Sequence, residues 1–264
     1  MTAVPRDAAT VILMRGSEGG KGIEVLMVRR SGSSDFAAGM HVFPGGGVEE
    51  GDCRREVAAL CAGLGPEEAA SILGDVSDPS LCLGIFVAAV RETFEETGIL
   101  MARDASGNLV DCRGEAAGRY AAYREALKEG RIGFTEMIAR EGIELALDRL
   151  VYFAHWITPE VSPIRFDTRF FLAAAPPCQV AAHDEIETTD HVWISPEEAL
   201  KKNREGTFAM LPPTMVNLMA LERFSSVDEA LAYAAGREVP TISPRVVVEG
   251  GRMRLVLPGD PDYE

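Results

Sequence analysis

The chain has 264 residues, a mass of 28.4 kDa, 47% hydrophobic and 25% charged residues. That is ordinary globular usage and suffices for a core without disulfides or a structural metal, and no run of about 18 uncharged apolar residues marks a membrane span. The formal net charge of −15 repels phosphate backbones, so no nucleic-acid partner is expected, whereas a small phosphorylated substrate stays open if metal ions and a few arginines offset the charge.

Cys53, Cys61, Cys82, Cys112 and Cys178 are odd in number and lack CxxC spacing, which argues against a disulfide framework or a zinc site. The start, MTAVPRDAAT, is no signal peptide, and the end, DPDYE, is no retention or peroxisomal signal. The expectation is a reduced, cytoplasmic protein without a membrane partner.

In chain order, Ala9–Met14 and Ile23–Arg29 are β-branched and apolar around a glycine-rich stretch and predict a β-hairpin. Ser31–Gly39 reads as a loop. His41–Phe43 reads as a short strand running into a Pro44-Gly45-Gly46-Gly47 loop. Arg54–Leu60 and Pro66–Leu73 are helix-compatible, with Pro66 suited to a first turn. Leu81–Thr97 is the clearest helix, stopped by Gly98. Ile99–Ala102 suggests a strand, and Glu115–Glu129 and Phe134–Glu141 suggest helices. Tyr152–Ile157, Thr168–Ala174 and Val192–Ile194 suggest strands, followed by a helix from Pro196 capped by Ser195. Pro213–Phe224 and Val227–Ala235 read as helices, and Arg245–Val248 with Arg252–Leu257 as a terminal hairpin.

The long helix carries the chemistry. Leu83, Phe86, Val87, Val90 and Phe94 share one face, and Glu92, Glu95 and Glu96 fall roughly opposite. The i, i+3 and i, i+4 spacings allow the three carboxylates to converge. Such like charges repel unless a hard divalent cation, Mg²⁺ or Mn²⁺, lies between them. A solvated acidic face is the bland alternative. Arg91, on the flank, can reach Glu95 one turn on.

Here the sequence resembles the Nudix hydrolases. Their signature ends in Arg-Glu-apolar-x-Glu-Glu-x-Gly-apolar, matched by Arg91 to Ile99 with Thr93 in the apolar slot. Its first half, a glycine and an acid six residues later, is matched by Gly46 and Asp52, an Asp where the family usually has Glu. Thirty-eight residues separate Asp52 from Arg91 instead of the family's seven. A long insertion at this place resembles the branch that includes peroxisomal coenzyme A diphosphatases. So do His41–Gly46, Trp156–Pro159, Arg165–Phe171 and Leu211–Thr214, and the likeness covers roughly residues 9–224.

The resemblance implies an α/β fold, a Nudix-like α/β/α sandwich with a mixed sheet, a helical insertion at about 53–80 and extra peripheral helices. It implies one domain over 1–264 with a C-terminal extension from about 225. It implies metal-dependent hydrolysis of a diphosphate linkage in a nucleotide-type substrate, with coenzyme A or an acyl-coenzyme A leading. ADP-ribose or NADH cleavage, or a non-catalytic nucleotide sensor, are the alternatives. Carried over by position, Glu92, Glu95 and Glu96 would hold Mg²⁺ or Mn²⁺, Arg91 would orient a carboxylate, and Gly45, Gly46 and Gly47 would let backbone approach phosphates. The proton acceptor would be Glu96 or a distant acid, Glu185 or Glu187. Arg165, Asp167 and Arg169 alternate on one strand face, as a salt-bridge row or as phosphate contacts. Arg30 and His41 are further substrate-binding candidates, Trp156 and Trp193 read as core, and the insertion is a candidate for a homodimer contact. The coenzyme A pattern of another branch is met by Arg30-Ser31, Gly39 and Phe43–Gly46, but not by Ser34-Asp35 and Ala38.

Overall fold

The computed structural model describes residues 2–17, 19–20, 22–32, 37–182, 188–249 and 252–263. Its strands and helices in chain order are β1 (Arg6–Gly16), β2 (Ile23–Arg30), β3 (His41–Val42), β4 (Gly45–Gly47), β5 (Cys61–Ala62), α1 (Pro66–Leu73), α2 (Pro79–Thr97), β6 (Ala102–Arg103), α3 (Glu115–Lys128) and α4 (Phe134–Glu141). After them come β7 (Glu144–Ala146), β8 (Val151–Ile157), β9 (Phe166–Ala174), β10 (Thr188–Ile194), α5 (Pro196–Arg204), α6 (Pro212–Leu221), α7 (Val227–Ala234), β11 (Thr241–Ile242), β12 (Arg245–Glu249) and β13 (Arg252–Val256).

The main sheet runs β10-β2-β1-β9-β8-β11, with β3 on β2 and β4 on β1. It is mixed: β1 and β9 are parallel, as are β8 and β11, and the other pairs are antiparallel. Alternation along β1 divides the core. Ala9, Val11 and Leu13 pack with α1–α4 on one face, and Ile12 and Met14 pack with Leu200, Leu218, Leu221 and Ala230 of α5–α7 on the other. The result is an α/β/α sandwich. Among the described residues, no helix is long and apolar enough to cross a membrane.

Several elements differ from the sequence reading. Gly45–Gly47 forms a strand rather than a loop, paired with Ala8–Thr10. Gly45 makes this pairing possible: a Cβ there would lie 2.3 Å from the Ala9 carbonyl oxygen. Residues 54–60 form a tight 3-10 turn (Arg55–Leu60) instead of an α-helix. Only Ala102 of the strand expected at 99–102 is extended, in β6, because its partner β7 lies at Glu144–Ala146. β10 starts four residues earlier than expected, held by β2. The insertion is folded, with Val57, Leu64, Ala69 and Leu73 in the same core as α2.

Helix α2 does not have one apolar and one solvated face. Residues 82 to 91 are buried without a break, and so is Glu96. Small residues explain this, since a Cβ on Gly84 would meet the Cys53 sulfur at 2.4 Å. The insertion's first turn therefore lies directly against α2.

Candidate active site

Asp78 caps α2 by accepting the Ser80 N–H, Pro79 occupies its first turn, and Gly98 ends it at φ 73°. Arg124 donates to the Glu95 carbonyl at 2.9 Å, placing a cation at the helix's negative end. The helix is thus held firmly where its acidic residues sit.

Arg91 is the hub. Its Nε and Nη2 donate to the two oxygens of Asp52, each at 2.9 Å. Its Nη2 also donates to the Gly47 carbonyl at 2.8 Å. Its Nη1 donates to Glu92 at 2.8 Å and to Glu95 at 3.4 Å, with Glu49 at 3.9 Å. Burial opposes the charge on Arg91, but the hydrogen bonds to Asp52 and the charges of Glu92, Asp52 and Glu95 raise its pKa above the ordinary value. Asp52 sits in a 3-10 turn and also accepts the Glu49 N–H at 2.9 Å. The two halves of the motif therefore meet despite the insertion.

The glycine strand brings backbone onto the carboxylates. The Gly45 N–H donates to Glu96 at 3.1 Å, and a Cβ on Gly46 would lie 2.6 Å from the Glu92 carboxylate. Arg30 approaches Glu96 at 4.0 Å.

Two cavities, of about 480 and 500 Å³, share Gly47, Glu92 and Phe166 in their walls. The smaller is also lined by Asp7, Glu49 and Glu50. The larger is lined by Arg30, Gly45, Gly46, Glu92 and Glu96, and by an apolar wall that includes Phe43, Trp156, Phe170 and Leu211–Pro213. A cleft of this size with few polar groups suits a small-molecule ligand.

Other expected residues sit elsewhere. The His41 ring stacks on Phe208, with centroids 3.5 Å apart, and does not line either cavity; burial and Arg29 hold its pKa below the usual value. Arg165 is nearly buried and donates to the Thr158 and Ala3 carbonyls, so it ties a loop to the N-terminal segment. Arg169 is 2% exposed and pairs with Asp7, Asp75 and Asp167 on the sheet face away from the larger cleft. The same strand's Thr168 and Phe170 point into that cleft, since neighbours alternate. Arg165 and Arg169 are thus structural ion-pair and hydrogen-bond donors in this arrangement, not cleft residues. Glu185 and Glu187, like Ser34-Asp35, lie outside the described residues. Trp156, read as core, is buried yet lines the cleft. Glu49 and Gly84 were not singled out in the sequence; only the close approach of distant segments gives them a place.

The NUDT19 Nudix domain family matches residues 5–221. The chain belongs to this family of Nudix hydrolases. Similar proteins include the acyl-coenzyme A diphosphatase NUDT19 of Gallus gallus, 28% identical over 98% of this chain and 81% of that protein. The Homo sapiens protein of the same name is 26% identical over 92% of this chain and 73% of its own length. A crystal structure of a Nudix hydrolase from Alicyclobacillus acidocaldarius is 28% identical, with a TM-score of 0.70, covering 88% of this chain and 97% of that one.

Nudix hydrolases use divalent metal ions, and the donor chemistry of this Nudix site fits one. Five carboxylates, of Glu49, Asp52, Glu92, Glu95 and Glu96, gather around the two guanidinium groups of Arg91 and Arg30. Burial and the neighbouring carboxylates both act on Glu95. Its pKa is pushed up to about 7, first by burial and then by Glu92, Glu49 and Asp52, against the pull of Arg91. The donors are all hard oxygens. Among the described residues, no three His, Cys, Asp or Glu side chains already stand together as an ion site. Arg91 engages Glu92 and Glu95, and Glu96 faces the Gly45 N–H.

Proposed function

We propose that this Nudix hydrolase cleaves the diphosphate linkage of coenzyme A or an acyl-coenzyme A, as one domain over residues 1–264. The observation that carries the reading is the larger cleft. Charged groups, Glu92, Glu96 and Arg30, share it with an extended apolar wall. A substrate joining a diphosphate, through a pantetheine arm, to a hydrocarbon acyl chain matches both parts. The names of the NUDT19 relatives support the same substrate class.

In this reading Glu92, Glu95 and Glu96 hold Mg²⁺ or Mn²⁺, which supplies polarisation of the phosphoryl oxygens and a more acidic water. Arg91 and Asp52 fix the helix against the glycine strand. Gly45, Gly46 and Gly47 bring backbone close to the diphosphate, and Arg30 offsets its charge. Glu96, Glu185 and Glu187 are the candidates for taking the proton of the attacking water. Five free thiols fit a reducing cytoplasmic setting, and the net charge of −15 speaks against a nucleic-acid partner. A homodimer through the insertion, where Ile72 is exposed, belongs to the same proposal.

The test is a metal-supplemented assay with coenzyme A, acyl-coenzyme A, ADP-ribose, NADH and dinucleoside polyphosphates, with products identified by mass. The expected products are a nucleotide bisphosphate and the phosphopantetheine half. Turnover of ADP-ribose or NADH without turnover of either coenzyme A substrate would replace this reading by a nucleotide-sugar or dinucleotide one.

A further inference from the structure

The family match ends at residue 221, yet the chain beyond it returns to the cleft. After α7, β11 pairs in parallel with β8, placing Thr241 opposite His155 and Ile242 opposite Trp156. The Thr241 hydroxyl and the buried His155 Nδ1 are 2.9 Å apart. The hairpin of β12 and β13 follows, with Val256 fully buried. Its far end is tied back: the Tyr263 hydroxyl donates to the Ser243 carbonyl and Arg245 donates to the Tyr263 carbonyl, both at 2.7 Å. These contacts seat Pro244 and Leu255 in the wall of the larger cleft, the same cavity that holds Glu92, Glu96 and Arg30.

We propose that Pro244 and Leu255, which the chain beyond α7 brings to the cleft, select the substrate's apolar arm by receiving the acyl chain of an acyl thioester whose diphosphate lies at the glutamates. This rests on the coenzyme A reading above. The side chains of Pro244 and Leu255 offer neither a hydrogen-bond donor nor an acceptor to the cleft. A nucleobase or sugar placed there would leave polar atoms unpaired, which is costly. A hydrocarbon chain loses nothing and gains by leaving water, by up to about fourfold in binding per methylene. Because the cavity is continuous from Leu255 to Glu96, one ligand can satisfy both ends, and a longer acyl arm is favoured over none.

The experiment uses the full chain with metal and compares kcat/KM for dodecanoyl-coenzyme A with kcat/KM for coenzyme A. In the wild type the ratio should exceed one. Leu255→Ala should lower it at least about fivefold, since it removes wall area along the chain. Leu255→Trp, which fills the cleft, should lower kcat/KM more for dodecanoyl- than for acetyl-coenzyme A, and Pro244→Ala gives a third reading if one variant does not fold. A ratio within twofold of wild type in the variants that fold, including equal losses on both substrates, overturns the proposal while the coenzyme A reading stands. A wild-type enzyme that turns over ADP-ribose but neither coenzyme A substrate overturns both.

Discussion

Arg91 and Asp52 face each other through two parallel hydrogen bonds of 2.9 Å, with side chains 5% and 3% exposed, across 39 positions of sequence. The pair joins the two halves of the Nudix motif and orients Arg91 toward Glu92 and Glu95. Removing Asp52 takes from the buried Arg91 its two-pronged partner and leaves it Glu92 and Glu95, and breaking a buried pair costs about 3–5 kcal/mol. Asp52→Ala should therefore lower unfolding free energy in urea by about 3 kcal/mol and reduce kcat. A loss below about 1 kcal/mol, the range of exposed pairs, would show that the pair does not hold the site together.

Gly46 and Gly45 should respond differently to alanine. A Cβ on Gly46 meets the Glu92 carboxylate, a movable side chain, whereas one on Gly45 meets the backbone of Ala9 and Thr10. Gly46→Ala should keep the melting temperature within a few degrees and lower kcat at least about tenfold, a barrier change of about 1.4 kcal/mol. Gly45→Ala should lower the melting temperature itself. Paired kinetic and calorimetric measurements on both variants check this, and equal kcat for Gly46→Ala and wild type would remove Glu92 from the chemistry.

Excess chelator should abolish turnover, and saturating Mg²⁺ or Mn²⁺ should raise the melting temperature, because an ion bound only by the folded state stabilises it. Glu95→Gln and Glu96→Gln should each cut kcat at least about tenfold. In Glu96→Gln the amide oxygen can still accept the Gly45 N–H, so the fold is expected to persist although Glu96 is buried. Rates within twofold of wild type for both variants would favour a merely acidic helix.

Arg169 should matter for stability and not for substrate binding. Its loss leaves Asp7, Asp75 and Asp167 without their shared cation. Arg169→Met should cost about 3 kcal/mol in chemical unfolding while KM at saturating metal stays within twofold. A large KM increase with unchanged stability would return this residue to the substrate.

The thiols give a pH-dependent signature. Burial pushes Cys53 up to about 11, with Asp52 adding to it, and pushes Cys61 and Cys112 to about 12, helped by Glu144 and Asp111. The folded state then holds these protons more tightly than the unfolded chain. Stability should fall as pH rises above the free-thiol range toward 11–12, since the native state binds more protons there. Iodoacetamide should label these cysteines slowly at pH 8 until denaturant is added. Full labelling of the native protein within minutes at pH 8, read by mass, would contradict this.

Much was legible in the sequence because it rests on local chemistry. Gly98 ends the active-site helix, β-branched apolar runs around a glycine-rich stretch set the hairpin of β1 and β2, and the residue types of Gly46, Asp52, Arg91, Glu92, Glu95 and Glu96 announced both halves of the motif. Packing decided the rest. No local preference tells that Gly84 admits the Cys53 turn and so carries Asp52 to Arg91. Nor does it tell that Arg169 turns away from the cleft toward three aspartates. Glu96, placed by periodicity opposite the apolar face of the helix, is buried because a strand of glycines lies against it. The last forty residues showed no motif, yet they reach the cleft because the β8 edge offers unpaired backbone groups that β11 satisfies. Contacts between segments this far apart in the chain depend on which surfaces close on each other, and only the tertiary structure settles that.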